Sequence, residues 1–354
     1  MKTTILTRRI VFPLLALIVA VAGVGCASDK AVISQANQAH TGLQPAVIDD
    51  PVLASYIQEV GDRIIASARE LSQQGYGPRG KESNEWMFSK DMRFHFVNSK
   101  TLNAFTTGGE HMYIYTALFQ QCRTEDELAA VMAHEFAHIY GRHVHKGMNR
   151  QYAILGAAAA AGGAGYALGQ GDDKGMQYAG LGAGAAMLAG QFVGMNYTRK
   201  DEDEADKLGF AFYTRAGWDP NRFGDFFQTM IDQGYDKGNE MLSDHPSLKS
   251  RVEASKQRAA ALPASAAEWR RDPVAGKARF EELQARSVKV GENMPSDQTL
   301  EGAQELLAAL PRSCLTPAVQ PDQQQAEQNV LVELQKEQER KQQARQKPQS
   351  GRGY

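Results

Sequence analysis

The feature that most constrains the fold of this chain is a pair of histidines four residues apart inside an apolar segment. Thr124 and the acidic residues after it are typical of a helix N-terminus, and an apolar run then leads to His134, Glu135 and His138. Four residues advance a helix by just over one turn, so both imidazoles project from one face and can share a metal ion, with Glu135 beside them. The sequence therefore predicts a helix that carries part of a zinc site.

A third ligand has to come from another segment, because a catalytic zinc site usually has three protein ligands and one open position. The acidic stretch Arg199 to Asp206, on a second predicted helix, offers the best candidates. Spacing alone does not choose between Glu202 and Glu204. Glu202 has Asp206 four residues later on its own face, where the aspartate can hydrogen-bond a ligating imidazole. Without the histidine pair, this stretch would be interpreted as a solvated helix start.

Several further motifs accompany the histidine pair in a fixed order. They are Asn103-Ala104-Phe105 with Gly108-Gly109 and Tyr113 to Thr116, then Glu127 to Ala133, then Thr198-Arg199 with Glu202 and Ala205-Asp206, and finally Ser243 to Pro246 with Arg251. Together, over about Val52 to Leu262, they resemble the zinc metallopeptidases of peptidase family M48, which include HtpX-like proteases, CaaX prenyl proteases and periplasmic lipoproteins. The linked motifs are far more specific than the histidine pair alone.

The resemblance implies an α+β fold that is mainly helical. Its zincin-like (gluzincin) metallopeptidase domain would span residues 51–262 and contain a small sheet. Residues 263–322 lie outside the resemblance, and their amphipathic segments, such as that with Phe280, Leu283 and Val288, predict a helical region. Residues 323–354, rich in Gln, Lys, Glu and Arg, would form a polar tail. One strand would be an exposed edge onto which an extended substrate adds through backbone hydrogen bonds. The residues of this substrate-binding strand would be Met112, Tyr113, Ile114 and Tyr115.

The resemblance also assigns the chemistry. His134, His138 and Glu202 would hold one zinc ion per chain, which settles the choice that spacing left open. Glu135 would be the general base for a water that attacks a peptide carbonyl, and it would pass the proton to the leaving amine.

Three other residues have expected roles around this site. Asp206 would orient a ligating imidazole, and Arg199 would form a structural ion pair or contact a substrate carbonyl. His245 has three alternative roles: a ligand that keeps the enzyme latent, a group that stabilises the developing oxyanion, or a cap of the loop before Pro246.

The N-terminus has the layout of an export signal. Residues 1–25 place basic residues before an uncharged apolar stretch, as in a secretory signal peptide. They lead to Cys26 through Gly23-Val24-Gly25, which resembles the bacterial lipobox, and Ala27 resembles the signal for the outer membrane. We therefore predict lipidation of Cys26, a lipid anchor in the membrane, and a location on the periplasmic side of the outer membrane. The inner membrane and the soluble periplasm are the alternatives. Residues 26–50 are expected to be a linker.

Residues 151–198 differ in composition from the rest of the chain. Two uncharged Gly/Ala-rich stretches flank Asp172-Asp173-Lys174, which predicts a helical hairpin with a polar tip. Small residues would let the two helices approach closely. A hairpin that covers a cleft and one that enters a bilayer both remain open.

Composition narrows the function further. The 39 Lys and Arg residues are balanced by 41 Asp and Glu residues, so no basic surface for nucleic acid is expected. The resemblance and the export signal together predict an endopeptidase for unfolded or misassembled envelope proteins, with the outer-membrane assembly machinery as a candidate partner. The alternative is a non-proteolytic chaperone or assembly scaffold with a structural zinc ion, which the complete motif around Glu135 disfavours.

Overall fold

The computed structural model describes residues 27–78, 83–150, 197–235 and 247–294, together with residues 300, 302, 303 and 307. The predictions for the signal peptide and Cys26, for nearly all of the Gly/Ala-rich insertion, for His245 and for the polar tail lie outside these residues.

The expected linker over residues 26–50 is a wrong prediction for Asp29–Leu43, which form helix α1. Ser28 caps this helix, since its Oγ accepts a hydrogen bond from the backbone N–H of Ala31. The apolar residues recur at steps of four and three, so one face is buried against the sheet. The buried residues of that face are Val32, Ala36, Ala39 and Leu43.

Helix α2 (Pro51–Gln73) begins at the residue where the sequence places the start of the metallopeptidase domain. An oxygen of Asp50 accepts hydrogen bonds from the N–H groups of Val52 and Leu53, at 3.1 and 3.0 Å. Pro51 occupies the first helical position, where no N–H is needed. The apolar residues of its buried face recur at helical steps, namely Leu53, Tyr56, Ile57, Val60, Ile64 and Ile65.

Three short strands form one mixed sheet in the order β1 (Arg93–Val97), β3 (His111–Tyr115), β2 (Ala104–Thr106). Strand β3 pairs parallel with β1 and antiparallel with β2. The prediction that residues 112–115 form an exposed edge strand is therefore wrong, because β3 is enclosed on both sides. Its residues Met112, Tyr113, Ile114 and Tyr115 have no exposed surface.

The sheet has two buried faces. Phe94, Phe96, Met112 and Ile114 point into the main core, which α2 and the later helices complete. Tyr113 and Tyr115 point to the opposite face, which residues of α1 cover. The second face is less completely buried, because Arg93 is exposed and His95 and His111 are half-buried there, so β1 alternates these polar residues with buried Phe94 and Phe96.

Helices make up most of the rest of the described chain. They are α3 (Thr116–Gln121), α4 (Glu125–Tyr140), α5 (Arg199–Ala216), α6 (Asp225–Asp232), α7 (Leu248–Ala260) and α8 (Lys277–Glu292), and residues 143–150 are also helical. Phe280 and Leu283 of α8 lie in the same core as α2 and α4. The predicted fold class, α+β and mainly helical, is confirmed. Among the described residues, no helix combines the length and apolar character needed to cross a membrane.

Candidate metal centre

Helices α4 and α5 form the most extensive helix pair around the histidines, and a glycine sets their distance. Gly209 on α5 faces the backbone of α4, where a Cβ atom would lie 3.0 Å from the backbone N and Cα of His134. A larger residue would push the helices apart. This close approach brings the acidic first turns of α5 against the histidine face of α4.

Three side chains from the two helices converge at one point. The Nε2 atoms of His134 and His138 are 3.0 Å apart. The two carboxylate oxygens of Glu202 lie 3.5 Å from His134 Nε2 and 3.7 Å from His138 Nε2. All three side chains are buried, with at most 1% of their surface exposed.

This donor set fits a zinc ion. Zinc–nitrogen bonds of about 2.0–2.1 Å at tetrahedral angles separate two ligand nitrogens by roughly 3.3 Å, close to the spacing of the two imidazoles. The buried carboxylates of Glu202 and Asp206 share one buried guanidinium, that of Arg251, so the negative charge of the cluster suits a divalent cation. Two imidazoles and a carboxylate are also the ligand types that zinc commonly takes in enzymes.

The outer nitrogen of His134 contacts an ionic pair. Its Nδ1 lies 2.8 Å from Asp206 Oδ1. Arg251 of α7 donates from Nε to Asp206 Oδ2 at 2.8 Å and from Nη2 to Oδ1 at 2.6 Å, and its guanidinium lies over the ring of Phe227. Burial alone would raise the pKa of Asp206, but Arg251 and His134 hold it at about 2. Burial alone would likewise lower the pKa of His134, but hydrogen bonds with Asp206 and Glu202 raise it to about 9.

The outer nitrogen of His138 contacts a different chain of groups. Its Nδ1 lies 2.9 Å from Nδ1 of His143, which is fully buried. The Nε2 of His143 is 3.3 Å from Glu204 Oε2, and Lys146 donates to the same oxygen at 2.9 Å. Hydrogen bonding to His143 lowers the pKa of Glu204 to about 2, although partial burial acts in the opposite direction, and Lys146 adds to the lowering.

Tyr197 covers the face of His138. The two rings stack with centroids 3.9 Å apart and planes 18° apart. Burial raises the pKa of the Tyr197 phenol, and the nearby charges of Glu135 and Glu202 raise it further. Glu135 itself has no exposed surface. Tyr197 is therefore buried close to the carboxylates of Glu135 and Glu202.

Among the other residues singled out by the sequence, Arg251 joins this cluster, and the rest lie apart from it or outside the described chain. Arg199 is exposed at the first position of α5, and Arg251 is the arginine that binds Asp206. The residues 112–115 of the central strand are enclosed in the sheet. His245 and Cys26 are not among the described residues.

Sequence reasoning missed two residues that contact His138. It gave no role at the site to His143, which is buried and contacts a predicted ligand. The available signal was its position five residues after His138, just beyond the end of α4. A straight continuation of α4 would have pointed His143 away from His138, so this signal did not predict the contact. Tyr197 gave no signal, because it precedes α5 and follows the unusual insertion.

Comparison with known proteins agrees with this geometry. The model of the family described as Peptidase family M48 matches residues 83–259. The putative beta-barrel assembly-enhancing protease of Vibrio cholerae is 34% identical over 220 residues, which are 61% of this chain and 41% of that protein. The beta-barrel assembly-enhancing protease of Escherichia coli K12 is 30% identical over 220 residues, covering 60% and 40% of the two chains.

A more distant similarity extends to mitochondria. The mitochondrial metalloendopeptidase OMA1 of Saccharomyces cerevisiae is 29% identical over 172 residues, covering 45% of this chain and 44% of that protein. The chain spans less than half the length of each of these relatives.

Proposed function

We propose that this chain, which belongs to peptidase family M48, is a zinc-dependent endopeptidase that cleaves unfolded or misassembled proteins of the cell envelope. The observation that carries the proposal is the convergence of His134, His138 and Glu202 beside the buried carboxylate of Glu135. Two helices, held together across Gly209, supply all four side chains.

The three converging side chains would hold the zinc ion. A bound zinc ion supplies Lewis acidity, which lowers the pKa of water and polarises a peptide carbonyl. Glu135 accepts the proton of the attacking water as general base and then delivers it to the nitrogen of the leaving amine. Its burial removes competing solvent, so proton transfer at the carboxylate is directed to the reacting groups.

The neighbouring residues keep the two imidazoles in the required tautomer. When His134 and His138 use Nε2 as ligand atoms, each Nδ1 carries a hydrogen and donates it to the group behind. Asp206 accepts from His134, and His143 accepts from His138. Such partners fix the ring orientation and raise the basicity of the ligand.

We propose that an extended substrate adds to strand β2, whose residues Ala104, Phe105 and Thr106 are at most 4% exposed, so the groups that cover this strand have to move aside first. Of the two outer strands, β1 is already bonded on its outer side, where Ile48 donates to the carbonyl of Phe96 at 2.8 Å and Asn98 donates to that of Ala46. Strand β2 lies at the other edge and packs against α4. A peptide added there would run beside the histidine pair and be bound mainly through its backbone, which favours unfolded segments.

The substrate class rests on two further points. Relatives in bacteria are named for assisting beta-barrel assembly, which makes misassembled outer-membrane proteins the first substrates to try. The export signal and Cys26 support a lipid-anchored form on the periplasmic side of the outer membrane, in contact with the assembly machinery.

The test is cleavage of an unfolded model protein by the full chain in detergent, with and without zinc. Glu135→Gln keeps the size of the side chain but removes the base, so we expect cleavage to fall by about 10²–10⁴-fold while zinc binding is retained. Glu282→Gln is the matched control, since Glu282 is an exposed acid on α8 bonded to Arg279, and it should cleave like the wild type. If the folded chain binds zinc but cleaves no protein, the result would contradict the proposal and favour the non-proteolytic chaperone or assembly scaffold.

A further inference from the structure

A second group of histidines lies on the face of the sheet that α1 covers. His95 of β1 and His111 of β3 belong to parallel strands in which Arg93 is aligned with His111, and His95 with Tyr113. Aligned residues of neighbouring strands point to the same face, so both histidines are on the side of Tyr113. His40, in the last turn of α1, joins them from above.

The three imidazoles are in direct contact. His95 Nε2 is 3.0 Å from His111 Nδ1, the same separation as between the two Nε2 atoms of His134 and His138. The ring centroid of His40 lies 3.9 Å from that of His111 and 4.7 Å from that of His95. One ligand nitrogen from each of the three rings lies within 4.8 Å of the others.

We propose that His40, His95 and His111 form a second metal site, which binds a late first-row divalent ion such as zinc or copper. Imidazole nitrogen suits these ions, whereas magnesium and calcium require oxygen ligands. The three donors come from three separate elements, so a bound ion would fasten α1 to strands β1 and β3. This inference does not depend on the proposed peptidase activity.

The histidines are already in the state that a metal requires. A metal competes with the proton for the imidazole lone pair, so a ligand histidine must be neutral. Burial, helped by the neighbouring histidines, lowers the pKa of His95 to about 3, and burial with His40 and Arg93 lowers that of His111 to about 4. Burial also lowers the pKa of His40. All three are neutral at physiological pH.

Tyr113 holds the His40 ring in its present orientation, since its hydroxyl lies 3.0 Å from His40 Nδ1. The rings of His40 and His111 are nearly parallel, with planes 5° apart. Because lone pairs lie in the ring plane, the ion must turn the His40 ring out of this stack. The terminal torsion of histidine is broad, so the ring can turn, and the bond to the ion then replaces the stack and the Tyr113 contact.

The second ion should bind more weakly than the ion at His134, His138 and Glu202. The half-buried group contains no carboxylate to balance the charge of the ion. Arg93 lies close enough to lower the pKa of both strand histidines, and its positive charge also opposes a cation. A two-step uptake of zinc follows, with the tighter step at the buried site.

The experiment is equilibrium dialysis of the full chain against increasing zinc, with bound zinc counted by mass spectrometry. We expect the wild type to bind a second ion after the first, and both His95→Phe and His111→Phe to lose only the second. Phenylalanine keeps a ring in the stack, and circular dichroism checks that each variant is folded. His138→Ala should show the reverse, losing the tight ion and keeping the weak one.

A spectroscopic readout identifies the ligands. Copper added to His138→Ala should give an electron paramagnetic resonance signal with hyperfine splitting from several nitrogens, and His111→Phe in that background should remove it. His145→Phe is the control for replacing a buried histidine elsewhere, since His145 is bonded to Asp29, and it should leave the signal intact. Equal zinc uptake and equal copper spectra with and without His111 would overturn the proposal.

Discussion

The two histidines on α4 receive different support from the groups behind them. His134 contacts Asp206, which is clamped by two hydrogen bonds from Arg251, and all three side chains are at most 4% exposed. His138 contacts His143, which passes the connection to Glu204 and Lys146, whose side chains are 29% and 41% exposed. One imidazole is held by a buried ion pair, and the other by a buried histidine whose further partners, Glu204 and Lys146, form an ion pair at the surface.

The two kinds of support predict different effects when a partner of His134 or of His138 is removed. A buried ion pair is costly to form, and removing one partner leaves an uncompensated charge in the interior. A chain that ends in solvent loses little when its outermost member is removed, because water replaces it. The His134 side should therefore behave as a rigid anchor, whereas perturbations on the His138 side should weaken with distance from the ligand.

The largest effect should follow removal of the buried guanidinium. Arg251→Met keeps much of the volume but leaves Asp206 buried without its cation, so we expect a loss of about 3–5 kcal/mol in the free energy of unfolding. Urea unfolding of the metal-free chain measures it. The matched control is Arg279→Met, an exposed arginine paired with Glu282, which should cost no more than about 1 kcal/mol. Equal losses of stability in Arg251→Met and Arg279→Met would contradict the role of the buried ion pair as a rigid support for His134.

The next largest effect is expected when the carboxylate of Asp206 is replaced by a neutral amide. Asp206→Asn keeps the shape of the side chain but removes the charge that orients His134, so zinc affinity should fall by about 10–100-fold. Competition with a chromophoric zinc chelator measures the affinity directly, independently of cleavage. An affinity within twofold of the wild type would show that the charge of Asp206 serves the fold alone.

A smaller effect, with a built-in rescue, is expected at His143. His143→Ala removes the acceptor behind His138 and should weaken zinc binding by about tenfold, near the lower end for such partners. In His143→Asn, the side-chain oxygen can take the place of the histidine Nδ1, so this variant should regain most of the affinity. If both variants lose the same affinity, the histidine fills space and does not position His138.

The smallest effect on stability should come from Glu204 and Lys146, the exposed end of the series of contacts behind His138, and it should depend on pH. Glu204 has a pKa of about 2 in the folded chain, below its ordinary value of 4.5, so its contacts stabilise the fold fully above pH 4.5. That contribution is lost as the pH falls from 4.5 towards 2. Because Lys146 and Glu204 are both partly exposed, Lys146→Met should lower the free energy of unfolding by less than about 1 kcal/mol at neutral pH.

Urea unfolding at pH 6 and pH 3 tests this sign. Glu204→Gln should lose stability at pH 6, and the difference from the wild type should shrink at pH 3. A difference that grows on acidification would contradict the assigned direction of the shift.

The sequence predicted the parts of the site that depend on one helix or on a motif. The histidine pair follows from helical spacing, and the choice of Glu202 came from the family resemblance, since spacing left Glu204 open. In the structure, Glu202 faces the histidine pair and Glu204 faces His143. Side chains two residues apart on a helix point in directions that differ by more than half a turn. Spacing alone does not show which of the two directions faces a partner on another helix.

Strand order and the packing of α1 were missed for physical reasons. Strand β2 has three residues, too few to show a period, and a strand's place in a sheet is decided by partners distant in sequence. The apolar residues of α1 were visible at helical steps, but they are mostly small and lie among Asn, Gln and His residues. Burial against the sheet, rather than the local pattern, makes this segment a helix.

The contact at Gly209 also bears on which ions the site accepts. Backbone meets backbone there, so the two helices have a fixed spacing at this point. An ion with longer bonds, such as cadmium, has to be accommodated by torsions of the Glu202, His134 and His138 side chains, and a wider helix spacing would favour it. Discrimination by ionic radius would then arise from the spacing of the helices, and Gly209→Ala should shift the relative affinity for zinc and cadmium towards the larger ion.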